Sequence, residues 1–132
     1  LHLATNGQNS VFLLKPDISV WKVGPDGSVT GIDRVVDAKW KRLDPHAPDF
    51  GVAQADVYQL LAYAVRYGCN SLELVYPQPD RHTHSKCPPS FRLQADGLTG
   101  ILTIKVKLLP LWLTASHQID HEFSKPVEAE RT

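Results

Sequence analysis

The residues from about Ala53 to Tyr67 carry the clearest helical signal in the chain, and strand-like segments stand on both sides of it. Val57, Leu60, Leu61, Ala64 and Val65 recur at the spacing of one helical face, with Asp56, Gln59 and Tyr63 on the adjacent face. Gly68 ends the pattern naturally, because glycine takes the left-handed conformation of a helix terminus without a side-chain penalty. Before the helix, Val35 to Trp40 alternates with period two. After it, Ser71 to Tyr76 sets Leu72, Leu74 and Tyr76 against Glu73 and Val75. At 132 residues the chain has the length of one ordinary domain, enough to cover one sheet with a helix or two and short for two cores. The expected class is α/β, or α+β by some definitions: a mixed sheet flanked by helices.

The remaining segments fill in the sheet. Asn6-Gly7 reads as a turn before a strand at Ser10 to Leu14, whose continuous apolar run Val11 to Leu14 is expected to be buried. Pro16 stops a regular ladder and presets the backbone just before Asp17. Ile18 to Val23 alternates, with Ile18, Val20 and Lys22 on one face and Asp17, Ser19, Trp21 and Val23 on the other. Gly24-Pro25-Asp26-Gly27 suggests a hairpin, and the return from Ser28 is interrupted by Gly31 and Asp33 until Val35. Leu43 to Gly51 reads as a mobile or irregular connection, and Pro77 to Pro89 as a long polar one. A short strand at Ser90 to Ala95, a turn at Asp96 to Gly100 and an alternating strand at Ile101 to Leu109 follow, the last with Leu102, Ile104, Val106 and Leu108 facing inward. Pro110 breaks that element. Leu111-Trp112-Leu113 forms an apolar patch that packs inward or meets another subunit, residues 1–123 make the core, and 124–132 read as a frayed tail.

Chemistry concentrates in the first half. Period two puts Asp37 and Lys39 on one side of their strand, with Val36, Ala38 and Trp40 on the other. Together with Asp17 they place two carboxylates and a lysine on or beside rigid strands, as a site for Mg²⁺-assisted phosphodiester hydrolysis requires. In that reading Asp17 and Asp37 hold one or two divalent cations, while Lys39 orients attacking water and stabilises charge on the phosphoryl oxygens. The plainer alternative is a surface ion pair worth about 0–1 kcal/mol. Gln59 and Tyr63 can point together towards Asp37 and Lys39 and position phosphate, water or the lysine. Alternatively, Tyr63 buries its ring, Gln59 faces solvent and Asp56 serves the first helical turn. Lys41 and Arg42 extend the positive charge and could contact phosphate. Lys105 and Lys107 either hold DNA or guard an edge strand.

Several classes are disfavoured. With 14 Lys and Arg against 14 Asp and Glu, the chain lacks the charge of an autonomous, strongly basic nucleic-acid binder. Cys69 and Cys87 could be free or joined, and without a secretory segment the reduced, cytoplasmic reading is preferred. His82, His84 and Cys87 supply only three zinc donors, His46 has no companion ligand, and His117 and His121 lack the acidic spacing of a zinc protease. No apolar run approaches the roughly 20 residues that span a bilayer. No Gly-rich Lys-Ser/Thr loop is present, so no GTP site is expected.

Taken in order, Leu14-Lys15-Pro16-Asp17-Ile18, Val36-Asp37-Ala38-Lys39-Trp40-Lys41, Asp56-Val57-Tyr58-Gln59-Leu60-Leu61-Ala62-Tyr63-Ala64 and Tyr67-Gly68 closely resemble the nuclease domain of McrC, the cleavage subunit of modified-cytosine restriction systems. The resemblance covers roughly Val11 to Pro77, and McrC belongs to the PD-(D/E)XK nuclease class. It implies a restriction-endonuclease-like fold and a Mg²⁺-dependent endonuclease, with Mn²⁺ as a substitute, acting on double-stranded DNA. Asp17, Asp37 and Lys39 match the acidic-acidic-lysine motif, and Gln59 with Tyr63 matches the Gln-x-x-x-Tyr helix motif. It further implies a GTP-hydrolysing McrB-like motor as partner. Related nucleases often carry another acidic ligand upstream, yet no Asp or Glu occurs among the 16 residues before Asp17. A start at Leu1 and the absence of Met suggest a fragment, incomplete at its N-terminus. A non-catalytic assembly or DNA-positioning domain, or a DNA-repair exonuclease of the same fold, are the competing expectations.

Overall fold

The computed structural model describes residues 1–78, 86–94 and 100–111. Strand β1 (His2–Asn6) pairs with β2 (Asn9–Leu13) in a two-stranded sheet of their own. Strands β3 (Ile18–Val23), β4 (Val29–Ala38), β5 (Ser71–Gln78), β6 (Ser90–Leu93) and β7 (Leu102–Pro110) form a five-stranded mixed sheet in the order β3-β4-β5-β7-β6. Helix α1 (Gln54–Tyr67) connects β4 to β5, which lie side by side and parallel. Parallel neighbours need such a crossover, and the helix supplies it. This is the mixed α+β, restriction-endonuclease-like architecture expected from the sequence, with α1 as the one α-helix among the described residues.

The helix forms where its pattern requires. Its C-cap Gly68 has φ 65° and ψ 36°, the left-handed geometry that lets the Gly68 N–H reach the Ala64 carbonyl. Leu60, Tyr63 and Ala64 bury one face on Val35, Leu72, Leu74 and Tyr76 of the central strands, continued by Leu102, Ile104 and Val106 of β7. Val57 and Leu61 pack at its margin, whereas Val65 at the end of the stripe is exposed. Alternation in β5 and β7 holds as read: the residues facing the helix are buried, while Lys105 and Lys107 are exposed.

Two local expectations are corrected. The run Val11 to Leu14 is not a buried strand: Phe12 and Leu13 are 70% and 53% exposed. β2 pairs only with β1, so no second layer covers it, and the hairpin is tied to the helix by Arg66 Nε donating to the His2 carbonyl at 2.6 Å. Gly31 and Asp33 do not interrupt β4, which is continuous over ten residues. The β3–β4 register slips between Val20 and Trp21 and again between Lys22 and Val23, so Asp33 and Thr30 are absorbed as extra residues on β4. The segment 43–51 is irregular as expected but anchored, since Leu43 and Phe50 join the core and the Asp44 N–H donates to the Phe50 carbonyl at 3.0 Å. Phe50 takes φ 58°, a conformation costly for a side-chain-bearing residue and held here by burial of its ring.

Cys69 is a buried free thiol and Cys87 an exposed one. Among the described residues no helix is long and apolar enough to cross a membrane, and no three His, Cys, Asp or Glu side chains are grouped to hold a metal ion. His82, His84, Asp96, Trp112, Leu113, His117, His121 and the tail from Ser124 lie outside the described residues.

Candidate active site at the end of β4

Strand pairing decides which side chains can meet. Asp17 immediately precedes the Ile18–Val36 pair of the antiparallel ladder and Asp37 immediately follows it. Asp37 in turn pairs with Leu74 across the parallel ladder, so its carboxylate lies on the face covered by α1. Past Ala38 the strand leaves the ladder, with the Lys39 N–H donating to the Val75 carbonyl at 2.8 Å as the last bond to β5. The site therefore occupies the carboxyl end of a strand in an open sheet, where connections diverge and leave room for a ligand.

Asp17 accepts the Ala38 N–H on Oδ2 at 2.8 Å, so it grips the backbone between Asp37 and Lys39. Asp37 is 3% exposed. The Lys39 ammonium stands 2.6 Å from Asp37 Oδ2, so that buried oxygen is paired with a cation at contact distance. Lys39 Nζ donates to Gln59 Oε1 at 2.6 Å. Gln59 Nε2 then donates to the Tyr63 hydroxyl at 2.9 Å, and that hydroxyl donates to the Lys15 carbonyl at 3.1 Å. Since Lys15 precedes Pro16-Asp17, the contacts close a ring: Asp17 to Ala38, Lys39 to Gln59, Gln59 to Tyr63, and Tyr63 back to the Asp17 segment. All five residues singled out by sequence, Asp17, Asp37, Lys39, Gln59 and Tyr63, are thus brought together. Tyr63 buries its ring while its hydroxyl takes part in these contacts.

The electrostatics favour a charged lysine. Burial pulls the Lys39 pKa down, but Asp37 and, behind it, Asp56 outweigh this and hold it above the ordinary value. Burial also raises the Tyr63 pKa against the lowering effect of Gln59, so the phenol stays a neutral donor.

Two participants were missed by the sequence reading. Asp56 Oδ1 lies 3.5 Å from Lys39 Nζ, and the Tyr76 hydroxyl donates to Asp56 Oδ2 at 3.0 Å. The signal for Asp56 was its position three residues before Gln59 on the same helical face. Tyr76 gave none beyond its place in an apolar stripe.

The remaining candidates are dispersed. Lys41 Nζ donates to the Gly51 carbonyl at 3.0 Å, and both Lys41 and Arg42 are exposed on the segment leaving the site. Trp40 beside them is 91% exposed. Lys105 and Lys107 pair with Glu73 and Val75, on the sheet face opposite Asp37. There Lys107 Nζ lies 2.9 Å and Arg34 Nη1 3.2 Å from Glu73 Oε1, a separate charge cluster around a carboxylate that is 6% exposed. Glu73 is accordingly far from the Asp17–Asp37 face in strand terms, and His46 is exposed in its loop.

No curated protein and no solved structure matches the chain. The family model described as a McrBC 5-methylcytosine restriction system component matches residues 1–77, more than half of the 132-residue chain and the whole segment that carries the ring of contacts. The chain belongs to the McrBC 5-methylcytosine restriction system component family.

Proposed function

We propose that this chain is the nuclease core of a McrBC-type restriction system, hydrolysing phosphodiester bonds of double-stranded DNA that contains modified cytosine, with Mg²⁺ or Mn²⁺ as cofactor. The observation that carries this reading is the convergence at the end of β4 of the buried Asp37, with the Lys39 ammonium on its Oδ2, and of Asp17, whose Oδ2 accepts the Ala38 N–H between them. Two carboxylates are also a donor set that suits Mg²⁺, which prefers hard oxygen ligands and keeps several of its waters.

In this reading Asp17 and Asp37 would hold the cation, which when bound supplies charge stabilisation at the phosphoryl oxygens and a more acidic attacking water. Lys39 remains an ammonium and stabilises negative charge developing on the phosphate. Gln59 fixes the direction of that ammonium, and Tyr63 fixes Gln59 against the backbone before Asp17, so the geometry is set before substrate arrives. Lys41 and Arg42 lie next along the chain and are the candidate phosphate contacts. Lys105 and Lys107, on the other sheet face, would have to meet DNA separately. A McrB-like, GTP-hydrolysing motor is the proposed partner.

The test is Mg²⁺-dependent cleavage of plasmid DNA carrying methylated cytosine by the complete protein with that partner. The wild type should cut, and Asp37→Ala and Lys39→Ala should each lose at least about a hundredfold in rate. Equal cleavage by all three proteins would reject the assignment.

A further inference from the structure

Lys39 has two carboxylate neighbours that are held in opposite ways. Asp56 is fixed: Oδ2 accepts the hydroxyl of Tyr76, whose side chain is wholly buried in the core, and Oδ1 faces the lysine at 3.5 Å. Asp37 is nearly buried, and its Oδ2 is paired with the Lys39 ammonium at 2.6 Å. The ammonium is also anchored to Gln59, which lies on the same helix face as Asp56.

A divalent cation arriving at Asp37 Oδ2 would stand within a few ångströms of an ammonium. Like charges at that spacing repel strongly at the effective dielectric of a partly buried site, and a doubly charged ion doubles the effect. The conflict is relieved if the lysine gives up Asp37 for another carboxylate. Asp56 is the neighbour in reach, with Oδ1 already 3.5 Å from Nζ and Oδ2 held by Tyr76.

We propose that Asp56, held in place by Tyr76, is a positioning residue that takes over Lys39 when a divalent cation occupies Asp37. The inference rests on the metal-dependent reading above and extends it. Without cation, Asp37 and Lys39 neutralise each other. With cation, Lys39 keeps its bond to Gln59, gives up Asp37 and closes on Asp56, and so stays charged and close to the phosphate. Asp56 thereby lowers the energetic cost of loading the site, without being a ligand itself.

The prediction is read by Mg²⁺-binding calorimetry on the complete protein without DNA, so no catalytic step enters. Asp56→Asn should weaken Mg²⁺ binding about tenfold, and Tyr76→Phe, which keeps the ring and frees Asp56, should weaken it by a smaller factor. Both effects should largely vanish in a Lys39→Met background, because no ammonium then needs a second counter-charge. Circular dichroism and thermal melts establish that each variant is folded. Two results would overturn the proposal: Asp56→Asn binding Mg²⁺ as tightly as the wild type, or losing the same factor with and without Lys39, which would indicate direct attraction between Asp56 and the ion. If the wild type itself binds no Mg²⁺, the metal-dependent reading fails and takes this inference with it, an outcome distinct from the other two.

Discussion

The Tyr63 hydroxyl donates to the backbone carbonyl of Lys15, across 48 residues of sequence, at 3.1 Å. That bond joins the far end of the Gln-x-x-x-Tyr pair to the segment that delivers Asp17. It explains why a helix residue that touches neither carboxylate belongs to the site. Asp17 and Lys39 are held on one side by the Ala38 amide and on the other by Gln59 and Tyr63, so their separation is set by a closed set of contacts instead of by one strand end.

Tyr63→Phe tests this ring. The ring of the side chain stays buried, but the bond to Lys15 and the one received from Gln59 are lost. Stability should fall by about 1 kcal/mol per lost hydrogen bond at most. The cleavage rate should fall by about tenfold, with DNA affinity unchanged, because the residue acts through Gln59 and Lys39. Stopped-flow cleavage and equilibrium DNA binding separate the two quantities.

Lys39→Met leaves Asp37 buried without a counter-charge. In the absence of divalent cations the variant should lose about 2 kcal/mol, less than a wholly buried pair would because Lys39 keeps 20% side-chain exposure. Added Mg²⁺ should then raise its melting temperature more than it raises that of the wild type, since the cation no longer competes with an ammonium. Thermal melts with and without Mg²⁺ provide the comparison.

The cluster on the other sheet face sets an acid limit. Burial alone would raise the Glu73 pKa, but the hydrogen bonds and charges of Lys107 and Arg34 outweigh it and hold it below its ordinary value of 4.5. A carboxylate whose folded pKa is depressed contributes stability that is complete above the unfolded value and is lost as pH falls through the folded one. Glu73→Gln should therefore cost on the order of 1 kcal/mol at pH 7, with the difference from wild type closing as pH drops below about 4.5. Urea titrations between pH 3 and 7 measure it, and a gap that widened in acid would contradict the assignment.

Much of the site was legible because strand alternation and helix periodicity are local. Period two put Asp37 with Lys39 and Asp17 with Ser19, and a spacing of four put Gln59 with Tyr63. What sequence could not show depended on which strands become neighbours. The sequence could not say which sheet face Lys105 and Lys107 occupy, and the register puts them across the sheet from Asp37, with Glu73. Tyr76 reads as core, and its hydroxyl acquires a partner only because α1 crosses over β5. The same holds for Val11 to Leu14, whose apolar run promised burial while its only pairing partner is a strand outside the main sheet. Gly31 and Asp33 misled for a related reason, since a bulge lets a strand absorb residues that a regular ladder would refuse.

Asp17 and Asp37 are proposed to share one divalent cation, and the position of that ion decides the matter. In crystals of the protein grown with Mn²⁺, anomalous scattering should give a peak between the two carboxylates, about 2.1–2.2 Å from an oxygen of each. The peak should be absent in Asp37→Ala. A Mn²⁺ peak elsewhere, or none at this position in a protein that still cleaves DNA, would contradict the account.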